Sequence, residues 1–250
     1  MKQTRLLMGM PITVDVVGAT DIKIIDSVFE YFAHVEEKFS VYKESSEIMA
    51  INRGELQVSD SSEDMKLIFK LAEKTKLETD GYFDIVDRKG LFDPSGIVKG
   101  WSIYNAAKII EQAGYADYFV DAGGDIQVNG RNQDGNLWSV GIKNPFKQEE
   151  IVKVVYLNDE GVATSGTYIR GQHIYDPKDR TRMLNDVVSV TVIGPNVYEA
   201  DRFATPAFAM GPAGIDFIER LTGFEGYMID SKGIATMTSG FERYLKPGNI

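Results

Sequence analysis

The stretch YFVDAGGDIQVNG, residues 118–130, decides the fold class that we expect. Strand-forming residues flank a pair of glycines there, and similar short runs follow at LWSVGIKN (137–144) and IVKVVYLN (151–158). Short strands joined by turns rich in glycine and asparagine are typical of an antiparallel sheet. The paired glycines indicate either a tight turn inside a hairpin or a close approach of the backbone to a ligand, and the pattern leaves both open.

Further strands are predicted on either side of this region. Residues 5–17 alternate loosely between apolar and polar and predict a first strand. VVSVTVIG (187–194) predicts another strand, and EGYMID (225–230) with IATMT (234–238) predicts a closing hairpin.

Helices are predicted between these strands. Asp21 is placed to cap a helix whose apolar residues recur with the helical period. The segment 61–64 resembles a capping box, which would open a second helix through about Leu77.

Two later segments also predict helices. Residues 96–114 read as a loop that runs into a helix ended by a glycine. Residues 199–210 predict another helix, which Pro206 requires to start late or to kink. Because strands and helices do not alternate as βαβ units, we predict an α+β fold with mixed, mainly antiparallel sheets and packed helices. No linker or repeat marks a boundary within 1–250, so we expect one two-lobed domain.

Composition limits the class of protein. Of 250 residues, 43% are apolar and 26% charged, which is ordinary for a globular protein. The chain has no cysteine, which excludes disulfides, thiolate metal sites, cysteine nucleophiles and a cysteine-linked lipid anchor. No apolar run approaches the roughly 20 residues of a membrane span, and Pro11 with the alternation around it favours a strand over a secretion signal. We therefore expect a cytoplasmic location and no membrane partner.

The net charge of −10 argues against a nucleic acid partner. Binding to a phosphate backbone needs a basic stripe, and none is apparent in the sequence. A phosphorylated ligand would have to be held locally, through a metal ion or backbone amides.

The segment GYFDIVDRKGLFDPSGIVKGWS, residues 81–102, is a first candidate for chemistry. It carries three aspartates and then Gly96, Lys99 and Gly100. A loop of small residues that leads into a helix can offer backbone amides to a phosphate, and Lys99 could add a point charge. The alternative is a surface loop with solvated charges.

A second candidate is YEADRFATPAFAMG, residues 198–211. Asp201 and Thr205 are four residues apart and lie on one face if the segment is helical. A carboxylate with a hydroxyl or carbonyl oxygen suits a hard cation such as Mg²⁺, which retains waters and recruits substrate phosphates. The alternative is an ordinary exposed helix face.

The segment VATSGTYIRGQHIYDP, residues 162–177, holds one of only two histidines. His173 is followed by Asp176, but this spacing does not establish a catalytic triad. His34 lies just off the apolar stripe of a predicted helix, and we interpret it as a surface residue.

Together these segments resemble the ApbE family, the FAD:protein FMN transferases. The resemblance covers most of the chain in consistent order. Its motifs are MGMPITV (8–14), FSVYKESSEIMAIN (39–52), GYFDI (81–85), DPSGIVKGW (93–101), DAGGDI (121–126), VATSG (162–166), HIYDP (173–177) and ADRFAT (200–205). It implies Mg²⁺-dependent transfer of FMN from FAD to a threonine hydroxyl of an acceptor flavoprotein, with release of AMP.

The resemblance also implies roles for individual residues. Those implied to contact or lie along FAD are Met8, Tyr42, Tyr82, Phe83, Asp84, Asp93, Lys99 and Ile174. The implied metal ligands are the Gly96 and Ala204 backbone oxygens and the Asp201 and Thr205 side chains. His173 would lie beside the pyrophosphate as the catalytic base, and Asp201 would be catalytic through the metal.

The sequence departs from the family pattern in several places. Only residues 85–92 separate the two aspartate motifs, where a long insert is usual. Pro94 and Ser95 replace the usual residues of the second motif, and Tyr104 stands where aspartate is usual. Two other functions therefore stay open: an FAD pyrophosphatase that yields FMN and AMP, and a non-catalytic FAD-binding protein.

Overall fold

The computed structural model describes residues 1–166, 177–178 and 186–246. The strands are β1 (Lys2–Leu7), β2 (Met10–Val16), β3 (Tyr118–Ala122), β4 (Asp125–Asn129), β5 (Trp138–Asn144), β6 (Lys147–Leu157), β7 (Gly161–Gly166), β8 (Val187–Gly194), β9 (Glu225–Asp230) and β10 (Ala235–Met237). The helices are α1 (Lys23–Phe39), α2 (Glu47–Asn52), α3 (Glu63–Glu78), α4 (Ser95–Gln112), α5 (Val197–Ala209) and α6 (Gly214–Glu219). Within these ranges, no helix is both long and apolar enough to cross a membrane.

Eight strands form one sheet in the order β1-β2-β3-β4-β7-β8-β9-β10, and β5 and β6 form a separate ribbon. Every strand pairing in the described part of the chain is antiparallel. The predicted α+β class with a mainly antiparallel sheet is therefore confirmed. The prediction of one two-lobed domain remains a prediction.

The middle of the sheet is buried on both faces, because β7, β8 and β9 alternate apolar side chains between two cores. Helices α1 and α4 cover β2 and β3, and helices α5 and α6 cover β8. The β5–β6 ribbon and a short 3-10 helix, Phe241–Leu245, cover the opposite face of β4, β7, β8 and β9. A further apolar core joins the end of α1, helices α2 and α3, and the start of α4. The cavity described below lies beside this last core.

The 118–130 stretch forms the β3–β4 hairpin, with the two glycines as its turn. Gly123 and Gly124 have φ of 64° and 97°, which glycine adopts without the steric cost of a side chain. A Cβ on Gly123 would lie 2.9 Å from the Met10 sulfur. The tight-turn interpretation is therefore confirmed, and the turn also packs closely on β2.

Two predicted element boundaries were wrong. Residues 5–17 form the β1–β2 hairpin rather than one strand, because Met8 and Gly9 adopt left-handed φ of 53° and 71° and reverse the chain. The side chain that caps α3 belongs to Ser62, whose Oγ accepts the Met65 N–H at 3.4 Å. Asp21 serves the start of α1 as predicted, because its Oδ1 accepts the N–H of Lys23, the first residue of the helix, at 3.0 Å.

Helix α5 also starts earlier than predicted, at Val197. The Asn196 side chain caps it by accepting the Glu199 N–H at 2.9 Å. Pro206 lies inside the helix, where it removes one backbone hydrogen bond. Burial offsets this loss, because Pro206 and its neighbours on α5 pack in the core between the helices and β8.

Candidate active site

One large cavity, of about 820 Å³, lies among the described elements. Its walls are the β1–β2 turn, the end of α1 with residues 40–42, the loop before α4, the first turns of α4, the end of β7, and α5. Ten residues that the sequence predicts for FAD or metal binding line it: Met8, Tyr42, Tyr82, Phe83, Asp84, Asp93, Gly96, Lys99, Asp201 and Thr205. The fold therefore brings together motifs that are far apart in sequence.

Part of the cavity wall is apolar. It is formed by Met8, Val35, Phe39, Phe83 and Val98. Phe83 is 4% exposed, and its backbone N–H donates to the Thr79 hydroxyl at 3.2 Å, which fixes the loop at that point. A planar, largely apolar ring system would be desolvated against such a wall.

The mouth of the cavity carries two tyrosines. Tyr42 lines the cavity yet is 91% exposed, so it lies at the rim. The Lys178 ammonium lies 4.4 Å from the centre of the Tyr82 ring and donates to Asp80 at 2.6 Å. The Lys178 ammonium, held by Asp80, therefore helps to fix the orientation of the Tyr82 ring.

Asp84 and Asp93 also hydrogen-bond within their own loop. Asp84 accepts from the Lys76 ammonium at 2.8 Å and from the Val86 N–H at 2.9 Å. Asp93 accepts the Ser95 N–H at 3.0 Å, at the start of α4. The Asp84 carboxylate therefore helps to fix the start of the short 85–92 segment against Lys76, and the Asp93 carboxylate fixes the turn into α4.

The polar end of the cavity is built where α4 and α5 come close together. Asp201 is 2% exposed, and its Oδ2 accepts the Gly100 N–H at 2.7 Å. A Cβ on Gly100 would lie 2.5 Å from the Asp201 Cβ and 2.9 Å from the Val197 carbonyl oxygen. Only glycine allows this approach, and the predicted helix glycine thereby positions the Asp201 carboxylate.

Gly96 lies beside the same group. A Cβ there would contact the Phe83 ring at 3.3 Å and the Thr205 methyl at 3.9 Å. The Gly100 N–H donates to the Asp201 carboxylate, and in a regular α-helix the same N–H also donates to the Gly96 oxygen. The Gly96 carbonyl and the Asp201 carboxylate thus share the Gly100 N–H as a donor. Gly96 also lies close to Thr205.

The charges at this end are closely coupled. The Lys99 ammonium lies 2.6 Å from Asp125 Oδ2 and 3.8 Å from Asp201 Oδ1. Burial raises the pKa of Asp201 above its ordinary value, and the nearby Asp125 charge adds to this. The Lys99 ammonium and the Gly100 N–H oppose the rise. A cation that contacts Asp201 would stabilise its ionised form.

The remaining hydroxyls converge from β7. Ser165 is 8% exposed, and its Oγ lies 3.1 Å from Thr205 Oγ1. The Thr164 N–H donates to Asp125 Oδ1 at 3.0 Å. β7 therefore contacts two residues of the polar end: the Ser165 hydroxyl contacts Thr205, and the Thr164 backbone N–H holds Asp125.

Three predicted residues stand apart from this geometry. Ala204 is fully buried in the core between α5 and β8 and does not line the cavity. His173 and Ile174 lie outside the described residues, so their predicted roles stay predictions.

The sequence interpretation missed Asp125, Ser165 and the contact made by Gly100. Asp125 is 1% exposed, and a buried carboxylate needs a charged or hydrogen-bonding partner. The paired glycines before Asp125 were the available signal, because they indicate a close backbone approach. The partner itself depends on strand pairing that no local pattern reveals.

The donor atoms present fit a hard divalent cation. Asp201 and Thr205 are one helical turn apart, and both face the cavity with Gly96 nearby. Among the described residues, no three or more histidine, cysteine or acidic side chains form a closed metal cage. Mg²⁺ commonly binds through one or two carboxylates plus substrate phosphates, so a partial oxygen set of this kind is suitable.

The cavity is acidic apart from Lys99. Five carboxylates line it within the described part of the chain: Glu36, Asp84, Asp87, Asp93 and Asp201. An anionic pyrophosphate would be repelled by such a lining without a compensating cation. This electrostatic balance is a second reason why the cavity suits a metal together with a phosphorylated ligand.

The fold and cavity define an α+β protein with a deep ligand site whose polar end is built from buried carboxylates. The family model described as the ApbE family matches residues 8–91 and 86–228. The chain belongs to the ApbE family.

Curated relatives carry one name. The chain is 32% identical over 164 residues to the FAD:protein FMN transferase of Klebsiella pneumoniae (strain 342), over 62% of this chain and 45% of that protein. It is 35% identical over 128 residues to the FAD:protein FMN transferase of Vibrio cholerae serotype O1, over 48% of this chain and 38% of that protein. The chain thus spans less than half the length of these relatives.

Solved structures share the fold over nearly the whole chain. The flavin transferase ApbE from Vibrio cholerae superimposes with a TM-score of 0.85 at 23% identity, over 98% of this chain and 99% of that one. The ApbE protein from Thermotoga maritima also gives 0.85, at 22% identity and the same coverage. At these identities the likeness concerns the fold.

Proposed function

We propose that this protein transfers FMN from FAD to a threonine hydroxyl of an acceptor flavoprotein in a Mg²⁺-dependent reaction that releases AMP. The observation that carries the proposal is the cavity that joins an apolar wall to the Asp201 and Thr205 pair. The names of the curated relatives support the coarser part of this proposal, the transfer of FMN from FAD to a protein.

The shape of the cavity suits a long ligand with chemically different ends. We assign the flavin ring to the wall that contains Met8 and Phe83, with the tyrosines at the rim beside it. The pyrophosphate is assigned to the end that holds Lys99, Gly96 and Asp201, where a cation and backbone polar groups converge.

Mg²⁺ held by Asp201, Thr205 and the Gly96 oxygen would neutralise charge on the pyrophosphate and on the departing AMP. The buried Asp201 carboxylate supplies the negative charge that a cation needs, and the Gly100 N–H fixes its orientation. The Ser165 hydroxyl holds the Thr205 hydroxyl at the cavity wall. The Ala204 carbonyl is retained as a fourth assignment, although Ala204 does not line the cavity.

The transfer step balances without any oxidant or reductant. The acceptor threonine oxygen forms a bond to the phosphorus of the FMN half, and the bond between that phosphorus and the AMP phosphate oxygen breaks. The threonine proton must pass to a base, for which His173 is our candidate from the sequence. Lys99 contributes positive charge near the leaving phosphate.

The test is covalent labelling of an acceptor domain. The protein is incubated with FAD, Mg²⁺ and the target domain of a flavoprotein, and the acceptor is examined for in-gel flavin fluorescence after denaturation. We expect fluorescence at the mass of the acceptor, and none with EDTA or with an acceptor whose target threonine is replaced by alanine. An acceptor that stays unlabelled with every candidate domain would contradict the proposal.

The same reaction without acceptor separates the other functions. Rapid release of FMN and AMP, measured by chromatography, would identify a pyrophosphatase, in which water replaces the threonine. FAD that binds stoichiometrically and stays intact with Mg²⁺ and acceptor would identify a binding protein. We keep a cytoplasmic site of action as part of the proposal, to be tested by cell fractionation.

A further inference from the structure

Lys99 lies between two buried carboxylates that it does not contact equally. Its ammonium is 2.6 Å from Asp125 Oδ2 and 3.8 Å from Asp201 Oδ1. The side chains of Asp125 and Asp201 are 1% and 3% exposed, whereas that of Lys99 is 24% exposed. The Lys99 ammonium is therefore within hydrogen-bonding distance of the Asp125 carboxylate but not of the Asp201 carboxylate.

Asp125 is itself fixed by the sheet. It is the first residue of β4, directly after the Gly123–Gly124 turn. Its other oxygen, Oδ1, accepts the Thr164 N–H from β7 at 3.0 Å. Asp125 thus presents Oδ2 to Lys99 from a rigid position, whereas a lysine side chain on its own has four rotatable bonds.

The unequal distances matter because Lys99 and a metal ion would compete for Asp201. An ammonium in contact with the Asp201 carboxylate would occupy the position of a divalent cation and neutralise the charge that attracts it. With Asp125 removed, Asp201 would be the nearest remaining buried carboxylate to the ammonium. The lysine would then shift toward it, because a buried carboxylate strongly favours a charged partner.

We propose that Asp125 is a positioning residue that holds the Lys99 ammonium off the Asp201 carboxylate, so that Asp201 stays available to a divalent cation while Lys99 stays available to phosphate. The proposal rests on the metal site assigned under the proposed function. It adds a role for Asp125, which does not line the cavity and whose carboxyl group lies beside that of Asp201, an assigned ligand of the metal.

The test is a double-mutant cycle on metal affinity, measured without turnover. Mn²⁺ is used as the probe, because it accepts the same oxygen ligands and its binding is followed by electron paramagnetic resonance. The variants are Asp125→Asn, Lys99→Gln and the double variant. Asparagine retains an oxygen for the Thr164 N–H, and circular dichroism and thermal unfolding check the fold of each variant.

We expect Asp125→Asn to weaken Mn²⁺ binding by about tenfold, the size of coupling expected between charged groups in contact. The same substitution made in the Lys99→Gln background should weaken Mn²⁺ binding by less than about threefold, because no ammonium is left to move onto Asp201. Equal weakening in both backgrounds would overturn the proposal and would instead indicate a direct electrostatic effect of Asp125.

The position of Lys99 between Asp125 and Asp201 also predicts how kcat depends on the Mg²⁺ concentration. For Asp125→Asn, excess Mg²⁺ should restore most of the lost kcat, since a competing ammonium can be displaced by mass action. A loss of kcat that saturating Mg²⁺ does not recover would count against the proposal. If Asp125→Asn alone does not fold, the double variant carries the test: wild-type Mn²⁺ affinity supports a role through Lys99, and lost affinity contradicts it.

The outcomes also separate this proposal from the proposed function. A wild-type protein that binds no Mn²⁺ would overturn the metal site and the role of Asp125 together. A wild-type protein that binds Mn²⁺, with unchanged affinity in Asp125→Asn, would overturn only the role of Asp125. Labelling of an acceptor by wild-type protein is measured in parallel: labelling together with unchanged Mn²⁺ affinity in Asp125→Asn would leave the proposed function standing and overturn only the role of Asp125.

Discussion

Asp201 combines a structural contact with the proposed chemistry in one side chain. It is nearly fully buried, and among the described residues its carboxylate accepts the Gly100 N–H at 2.7 Å and lies 3.8 Å from the Lys99 ammonium. A buried carboxylate with so few compensating contacts is costly unless it binds a cation. We therefore expect the metal binding proposed above, rather than a contribution to stability, to account for the burial of this carboxylate.

We predict that Asp201→Asn lowers Mg²⁺-dependent turnover of FAD by more than about hundredfold, because the metal would lose its charged ligand. The fold should be retained, since the amide oxygen can still accept the Gly100 N–H. The measurement is FAD consumption at saturating Mg²⁺, with thermal unfolding as the check on folding. Near-wild-type turnover in a folded variant would remove Asp201 from the metal site.

Asp121, on β3, gives a prediction about pH that is independent of the cavity. Burial raises its pKa above the ordinary value of 3.8, and the charge of Asp125 adds to this. The Gly124 N–H, which donates to its Oδ1 at 2.8 Å, and the charges of Lys143 and Lys2 act in the opposite direction.

A raised carboxyl pKa means that the folded state holds the proton more tightly than the unfolded state. The contribution of Asp121 to stability is then largest below its ordinary pKa and is lost as the pH rises through the raised value. We predict that Asp121→Asn removes this part of the pH dependence and raises stability at neutral relative to acidic pH. Urea unfolding of both proteins from pH 4 to pH 8 tests this, and parallel stability curves would contradict it.

At the scale of elements, the approach of α4 to α5 determines the polar end of the cavity. Gly100 usually would be a weak residue in a helix interior, where alanine is better by roughly 0.5–1 kcal/mol. Here a Cβ would lie 2.5 Å from the Asp201 Cβ, closer than side chains tolerate. Helix propensity and packing thus predict opposite signs for the same substitution.

We predict that packing decides, and that Gly100→Ala destabilises the protein by about 1–3 kcal/mol because α4 and α5 must separate. Denaturant unfolding measures the change. Gln112→Ala, at an exposed position in the last turn of α4, is the matched control and should change stability by less than about 0.5 kcal/mol. A stabilised Gly100→Ala protein would show that the helices can move apart freely.

Elements with strong local signals could be predicted from the sequence, and those that depend on rare backbone geometry could not. The glycine pair identified the β3–β4 turn because glycine favours left-handed φ. The β1–β2 turn escaped because Met8 adopts a φ of 53° that costs a non-glycine residue roughly 1–2 kcal/mol. The residues on both sides of this turn alternate between apolar and polar, so the sequence resembles one continuous strand.

For the site as well, local patterns could be predicted from the sequence and contacts between distant strands could not. Motif order identified ten cavity-lining residues, since each motif is a local pattern. The Lys99 to Asp125 contact could not be predicted, because it requires β4 to pair with β7 so that Thr164 can hold Asp125. Register between distant strands is set by packing of the whole sheet.

At the scale of the molecule, the cavity joins elements from the first hairpin to α5. Helix α5 is fastened to α3 by Arg202, which is 4% exposed and pairs with Glu78 on α3 and Glu199 on α5. Its guanidinium also lies 4.0 Å from the centre of the Phe203 ring. A ligand that spans the cavity would contact the first hairpin, α4 and α5 at the same time and add to the contacts that already join them.

We predict that FAD raises the thermal unfolding temperature and that Mg²⁺ adds a larger increment when FAD is present than when it is absent. Binding to the folded state alone stabilises it by RT ln(1 + [L]/Kd), about 2.7 kcal/mol at a ligand concentration 100 times Kd. Because the cavity lining is acidic, the metal and the pyrophosphate should each strengthen binding of the other. The measurement is thermal unfolding with FAD and Mg²⁺ in all four combinations, completed before FAD is consumed. EDTA should cancel the Mg²⁺ increment, and Asp201→Asn should lack it while keeping the response to FAD. Equal increments from Mg²⁺ with and without FAD would show that the metal binds elsewhere, and the assignment of the pyrophosphate to the Asp201 end would then be wrong.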